Sequence, residues 1–232
     1  MKPIEIARKL NISTSALRHY ESWGIIPPVE RAQNGYRMYT ELHLAYFECI
    51  RAMAPGFGFE LTSKALKKVL VKEVDDALWL VNEAQSSLHY DKKTAEKTIR
   101  ILETEELEEL DNSRKRKWMT IGEVSIETDI PSSAIRHWEM MGLLSPERDS
   151  DNGYRKFNRS LVRKVLMIRT LRSADYSLDT IKEVLIELDH HNVENARKVA
   201  QDSLHYLNQL NSNQIRGVHH LYTVCKLSGL LD

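Results

Sequence analysis

The chain has 232 residues, 42% of them hydrophobic and 28% charged, a composition that fits one large globular domain or two of ordinary size. Lys+Arg and Asp+Glu both total 33, so the chain is neither a polybasic nor an acidic tail, and local fields decide what it binds. Two cysteines, Cys49 and Cys225, argue against a disulfide framework, and no apolar run approaches the roughly 18 residues of a membrane span.

The N-terminus, Met1-Lys2-Pro3-Ile4-Glu5-Ile6-Ala7-Arg8, lacks the apolar stretch of a signal peptide. A reducing, cytoplasmic setting is expected. A short helix comes first and turns near Asn11-Ile12. Ser13 then suits the start of a second helix, and Gly24 its end. A Pro- and charge-rich segment closes on Asn34-Gly35, a hairpin signal, flanked by Tyr36, Met38 and Tyr39 as short strands would be. Two helices are expected over Thr40 to Met53 and Thr62 to Val71. A long helix follows, in which Val81, Leu88, Ala95 and Leu102 recur at sevens with Ala84 and Ile99 beside them. That is a coiled-coil seam. It runs into the acidic stretch Glu103 to Asp111. The basic linker, Asp111 to Lys117, can span at most roughly 25 Å when extended.

The pattern then begins again. Ser15-Ala16-Leu17-Arg18-His19-Tyr20-Glu21 is matched by Ser133-Ala134-Ile135-Arg136-His137-Trp138-Glu139. Carried forward without a gap, Gly24 meets Gly142, Pro28 meets Pro146, and Asn34-Gly35-Tyr36-Arg37 meets Asn152-Gly153-Tyr154-Arg155. Later, Gln85 to Tyr90 meets Gln201 to Tyr206. The chain is thus two copies of one unit of roughly 115 residues. In the second copy, Thr120 and Glu123 form a capping-box pattern, where the first copy has Lys2 and Glu5 and is less well capped. Asp129-Ile130 marks the turn, and Pro131 begins the next helix. Tyr154, Lys156 and Phe157 flank the second hairpin. Helices are expected over Arg159 to Arg172 and Ser177 to Leu188. Ala196, Val199, Leu207 and Leu210 suggest a second long helix, and Ile215 to Leu231 a further one.

The motif Ala-Leu-Arg-His-Tyr-Glu-x-x-Gly-Ile-Ile, then Pro and Asn-Gly-Tyr-Arg-x-Tyr, resembles the MerR (mercury-resistance regulator) family. Both motifs agree at the family's separation, and they do so twice. The resemblance implies a fold dominated by α-helix. Two winged helix-turn-helix modules, each with a small β-hairpin wing, would be joined by long antiparallel coiled-coil helices. The expected divisions are 1–72 and 118–189 for the modules, 73–110 for the first long helix and 111–117 for the linker. Residues 190–232 would hold the second long helix and the C-terminal helix. Double-stranded DNA is the implied partner. Thr14, Ser15, Arg18, His19 and Tyr20, with Ser132, Ser133, Arg136, His137 and Trp138, lie on the two recognition helices. Arg18 and Arg136 would reach phosphate or base edges. Tyr36 and Arg37, with Tyr154, Arg155 and Lys156, lie in the wings and would hold the backbone. Phosphate contacts set register, while base contacts specify. Glu21 and Glu139 repel phosphate and are read as orienting an Arg or capping a helix. Tyr20 and Trp138 can also serve partly as packing, and Leu17, Ile25, Ile135 and Leu143 as core.

Family members pair two chains through antiparallel helices, and this chain carries both halves. A single-chain pseudo-dimer on an imperfect inverted repeat is expected, a homodimer being the alternative. Engagement of RNA polymerase at a promoter, through distorted DNA, and a nucleoid-associated location follow from the same resemblance. Two other readings stay open: an architectural chromosome-organising protein, and an effector sensor. For the latter, His89, Tyr90, His205 and Tyr206 could line a small pocket with Trp79 or Tyr222, or pack between long helix and module. No metal site is expected from Cys49, Cys225, His89, His190, His191, His205, His219 and His220, whose spacings do not converge. No cofactor and no catalytic arrangement are expected.

Overall fold

The computed structural model describes residues 1–108, 118–190 and 193–232, without the side chains of 104–108. The side chains at the acidic end of the first long helix, the basic linker and His191 lie outside the described residues. The chain divides into two compact units, Met1–Leu88 with Gln209–Asp232, and His89–Asn208.

Unit one begins with α1 (Pro3–Leu10) and α2 (Thr14–Ser22). Lys2 offers no acceptor, so only the return half of a capping box forms: the Glu5 carboxylate accepts the Lys2 N–H at 2.7 Å. Asn11 closes α1 in the left-handed conformation, which Asn tolerates better than most residues. Ser13 Oγ then accepts the Ala16 N–H and starts α2. Strands β1 (Glu30–Arg31) and β2 (Arg37–Met38) form the first wing. Helix α3 (Glu41–Leu70) follows, broken at Gly58 with φ 73°. The two expected helices are present, but the stretch between them is helical as well, apart from Gly58. A break there falls to glycine because L-residues with a Cβ resist that φ. Long helix α4 (Val74–Glu108) starts in this unit. The core gathers Ile6, Leu17, Ile25, Phe47 and Ile50 of the module, Val74, Ala77 and Val81 of α4, and Leu221, Val224 and Cys225 from the end of the chain.

Unit two repeats the design. Helices α5 (Ile121–Thr128) and α6 (Ser132–Met140) precede strands β3 (Glu147–Arg148) and β4 (Arg155–Lys156). Thr120 and Glu123 complete both halves of the expected capping box. Helices α7 (Arg159–Ser173) and α8 (Leu178–Asp189) lead into α9 (Val193–Leu227). Because α9 is continuous to Leu227, the separate helix expected from Ile215 does not exist; the largely polar, uncharged run Asn208 to Asn213 contains no Gly or Pro to stop it. The second core gathers Val124, Ile135, Phe157, Ile168 and Leu171 of the module, Ala196 and Ala200 of α9, and Ile99 and Leu102 of α4.

Each core is therefore completed by the far end of the other copy's long helix. In unit two, Thr98 of α4 shares a buried 2.9 Å hydrogen bond with Thr170 of α7, and Asp91 of α4 pairs with Arg169. Burial pushes the Asp91 carboxyl up despite that guanidinium. In unit one, Gln214 of α9 donates to the Gly56 carbonyl at 3.0 Å. The seam residues Val81, Leu88, Ala95 and Leu102 are all buried. No helix among the described residues is long and apolar enough to cross a membrane.

Candidate nucleic-acid interface

In each module a backbone bridge ties the residue before the first helix to the end of the wing. Tyr39 N–H donates to the Met1 carbonyl at 3.0 Å, and Met119 and Phe157 exchange two bonds of 2.8 Å. The wing is thus anchored against the helix-turn-helix rather than hanging from two loop ends. Gly35 and Gly153 sit at the tips with φ 78° and 71°. Asn34 and Asn152 side chains accept the N–H groups of Tyr36 and Tyr154, an Asx turn that fixes each tip. Arg31 and Arg148 donate to the tip carbonyls of Gly35 and Gly153.

The registers correct the gapless alignment of the two wings. Glu30 pairs with Met38 and Arg31 with Arg37, whereas Glu147 pairs with Lys156 and Arg148 with Arg155. Glu30-Arg31 is therefore equivalent to Glu147-Arg148. Copy two lacks a counterpart of Val29 and has one more residue in its turn, where Asp149 accepts the N–H groups of Asp151 and Asn152. Two compensating changes restore the frame by Asn34 and Asn152, which is why sequence alone hid them.

Helices α2 and α6 present Ser15, Arg18 and His19, and Ser133, Arg136 and His137, to solvent, with Thr14 and Ser132 half-buried. Wing tyrosines Tyr36 and Tyr154 are exposed. Arg37 Nε donates to Glu21 Oε2 at 2.5 Å, and Arg155 Nε to Glu139 Oε2 at 2.6 Å. Helix and wing are clamped to each other by the same ion pair in both copies. The bond takes one edge of the guanidinium and sets the direction of the rest. Lys156 is held less freely: it pairs with Asp149 at 3.3 Å and lies over the Trp118 ring. In module one, Lys2, Thr14, Arg18, Asn34, Tyr36 and Arg37 line a groove of about 560 Å³ between helix and wing.

Trp138, expected at the interface, is only 8% exposed and belongs to the second core. Its size and apolarity place it under α6, so it supports the helix instead of reaching outward. Tyr20, its equivalent, is half-buried against Phe47. Sequence reasoning missed the neighbours of Tyr20: His19 stacks on Trp23 and Phe59 packs edge-on to Trp23, leaving Trp23 45% and Phe59 42% exposed. Their spacing of 36 residues carries no periodic signal, and Phe59 directly follows the break at Gly58.

The four residues considered for an effector pocket occupy unlike surroundings. The Tyr90 hydroxyl donates to the Asp129 carbonyl, and Arg169 lies over its ring. His89, His205 and Tyr206 are exposed. Trp79 and Tyr222 are exposed and belong to unit one, whereas these four belong to unit two. Among the described residues, no group of three or more His, Cys, Asp or Glu could hold a metal ion. Cys49 and Cys225 are buried in the first core, and burial pushes both thiols up, away from the thiolate that would bind metal.

Two helix-turn-helix modules with clamped wings on one chain define a tandem winged-helix protein. A profile of MerR HTH family regulatory proteins matches residues 119–188, and one of MerR family regulatory proteins matches residues 2–39. Each of the two modules thus matches a MerR family model, and the family's unit is present twice. It is similar to nodulation protein NolA of Bradyrhizobium elkanii, at 35% identity over 72 residues, 31% of this chain and 32% of NolA. It is also similar to the regulator CueR of Salmonella typhi, at 39% over 57 residues, 24% of this chain and 41% of CueR. CueR of Yersinia pestis is 29% identical over 105 residues, 42% of this chain and 75% of that protein. The chain thus spans about a third of NolA and two fifths of the Salmonella CueR. No solved structure matches it.

Proposed function

We propose that this protein is a DNA-binding transcriptional regulator in which one chain does the work of two subunits. The observation that carries the reading is the reciprocal completion of the cores: α9 finishes module one and α4 finishes module two. Two symmetric subunits would exchange helix ends in the same way. Arg18 and Arg136 contact the major groove or its flanking phosphates. Arg37 and Arg155 hold the sugar-phosphate backbone with the guanidinium edges that Glu21 and Glu139 leave outward. The operator is an imperfect inverted repeat, because the modules differ: Met38 stands where Lys156 does, and the second wing has the longer turn. A bound promoter is bent or untwisted, at a deformation cost that these contacts offset, for polymerase to engage.

Selection of bound sequences from a random duplex pool tests this. A single unequal inverted repeat is expected, with half-sites on one face of the helix. Recovery of dispersed, unrelated sequences contradicts a regulator and favours a chromosome-organising protein.

The clamp gives a second test with a counter-intuitive sign. Glu21→Gln removes a negative charge near the DNA, which by Coulomb's law alone tightens binding. It also releases Arg37. The pair is partly buried, its side chains 25% and 24% exposed, and is worth about 1 kcal/mol, so orientation wins and affinity falls roughly threefold to fivefold. Titration of a labelled duplex at fixed salt reads the change; tighter binding means that Arg37 does not need its clamp.

A further inference from the structure

We infer that module one admits the long helix of copy two and rejects that of copy one, and that two facing glycines make the selection. The inference rests on the reading that the two copies stand in for two subunits. Gly56 in α3 and Gly217 in α9 lie where backbones nearly touch. A Cβ on Gly56 would come within 2.6 Å of the Gln214 backbone nitrogen. A Cβ on Gly217 would meet Met53 Cα at 3.0 Å and the Phe57 ring at 3.1 Å. Neither obstacle at Gly56 nor the Met53 Cα is a flexible side-chain end, so neither swings away. Gln214, 5% exposed, seals the contact by donating to the Gly56 carbonyl at 3.0 Å.

The repeat shows what the alternatives would bring to this place. Ile99-Arg100-Ile101 in α4 is equivalent to Ile215-Arg216-Gly217 in α9. Copy one's helix laid on module one in the same register would drive the branched Ile101 side chain into Met53 and Phe57. On the module side, the helix caps Thr40 and Asn158 are equivalent, as are the buried pairs Ile50 and Ile168, and Met53 and Leu171. Gly56 is then matched by Ala174. Copy two's helix laid on module two would meet the Ala174 Cβ where it now passes over bare backbone. Each like-with-like pairing thus carries a clash that the unlike pairing lacks, which is specificity by exclusion. A duplicated chain needs such a device, because its two helices and two modules otherwise offer four near-equivalent pairings.

The test is a graded series in the full chain: Gly217→Ala, Gly217→Val and Gly217→Ile, the last restoring the residue that α4 carries. Ile215→Ala is the control, since Ile215 is 58% exposed on the same turn. Thermal melts followed by circular dichroism should fall with side-chain size, least for alanine, whose gain in helix propensity of about 1 kcal/mol offsets part of the clash, and on the order of 10 °C or more for isoleucine. The control should stay within about 2 °C of the parent. Gly217→Ile melting with the parent overturns the inference. Should that variant not fold, Gly56→Ala decides, because its Cβ would stand 2.6 Å from the Gln214 backbone nitrogen, a clash that the gain in helix propensity, about 1 kcal/mol, does not offset: an unchanged midpoint overturns it equally. A tolerant Gly217→Ile that still binds one duplex as one chain removes the selection and leaves the functional reading standing. A parent chain that binds no duplex removes the functional reading while the melting series still reports the selection.

Discussion

Arg18→Ala and Arg136→Ala each weaken duplex binding by about 10-fold to 100-fold, and the double variant by roughly the product. The estimate follows from the worth of a good arginine contact, about 1–3 kcal/mol, and from the near-additivity of independent sites. Both side chains are exposed on the outer face of a recognition helix. Neither contributes to a core, so stability should hardly change. Salt decides which contact each makes. An arginine on phosphate lowers the slope of log K against log salt by about 0.9 when removed; one on a base edge leaves the slope alone and relaxes preference at one position. Fluorescence anisotropy with the selected operator, over a range of salt, reads both. If neither single variant weakens binding at moderate salt, the recognition helices are not the reading elements.

Phe47→Ala unfolds unit one at a much lower temperature than the parent. Phe47 is fully buried, and its ring packs edge-on to Tyr39 at 5.3 Å and against Tyr20 at 6.1 Å. Tyr39 ends the wing and carries the backbone bond to Met1; Tyr20 lies on the recognition helix. One side chain therefore underpins both parts of the first interface. Truncating a buried phenylalanine costs about 3–5 kcal/mol through lost transfer energy and the cavity left behind, a fall on the order of 10 °C for a chain of this size. DNA affinity of the surviving folded fraction should fall too, because the helix and wing lose their common support. A melting midpoint within about 3 °C of the parent would mean that the core closes over the gap, and that Phe47 does not set the site.

Much of this architecture is legible in the residues. The repeat, the caps at Ser13 and Thr120, the stops at Gly24 and Gly142 and the tips at Asn34-Gly35 and Asn152-Gly153 are local signals, each needing a residue type that few others replace. The clamp between Glu21 and Arg37 was readable only as a sign argument: a carboxylate on a helix expected to face DNA repels phosphate, and so reads as orienting an Arg or capping a helix. What was not legible depends on distance. Trp138 and Tyr20 occupy equivalent positions, yet Trp138 is buried in the second core while Tyr20 is half-buried beside Trp23 and Phe59, a difference set by residues far off in the chain. The compensating shift in the wings cancels in the alignment and shows itself only as register. The unbroken helix through Ile215 lacked a stop signal, and the expectation of a break there followed position and not chemistry. The close approach of Gly56 and Gly217 joins residues from opposite ends of the chain, beyond any local pattern.

The central claim is that one chain supplies both halves of a DNA-binding pair. The mass of the complex on a single selected operator, measured by light scattering coupled to size exclusion, tests it most directly. One 26.9 kDa chain per duplex is expected, unchanged as protein concentration falls. Two chains per duplex, with no one-to-one complex at any ratio, would contradict the account.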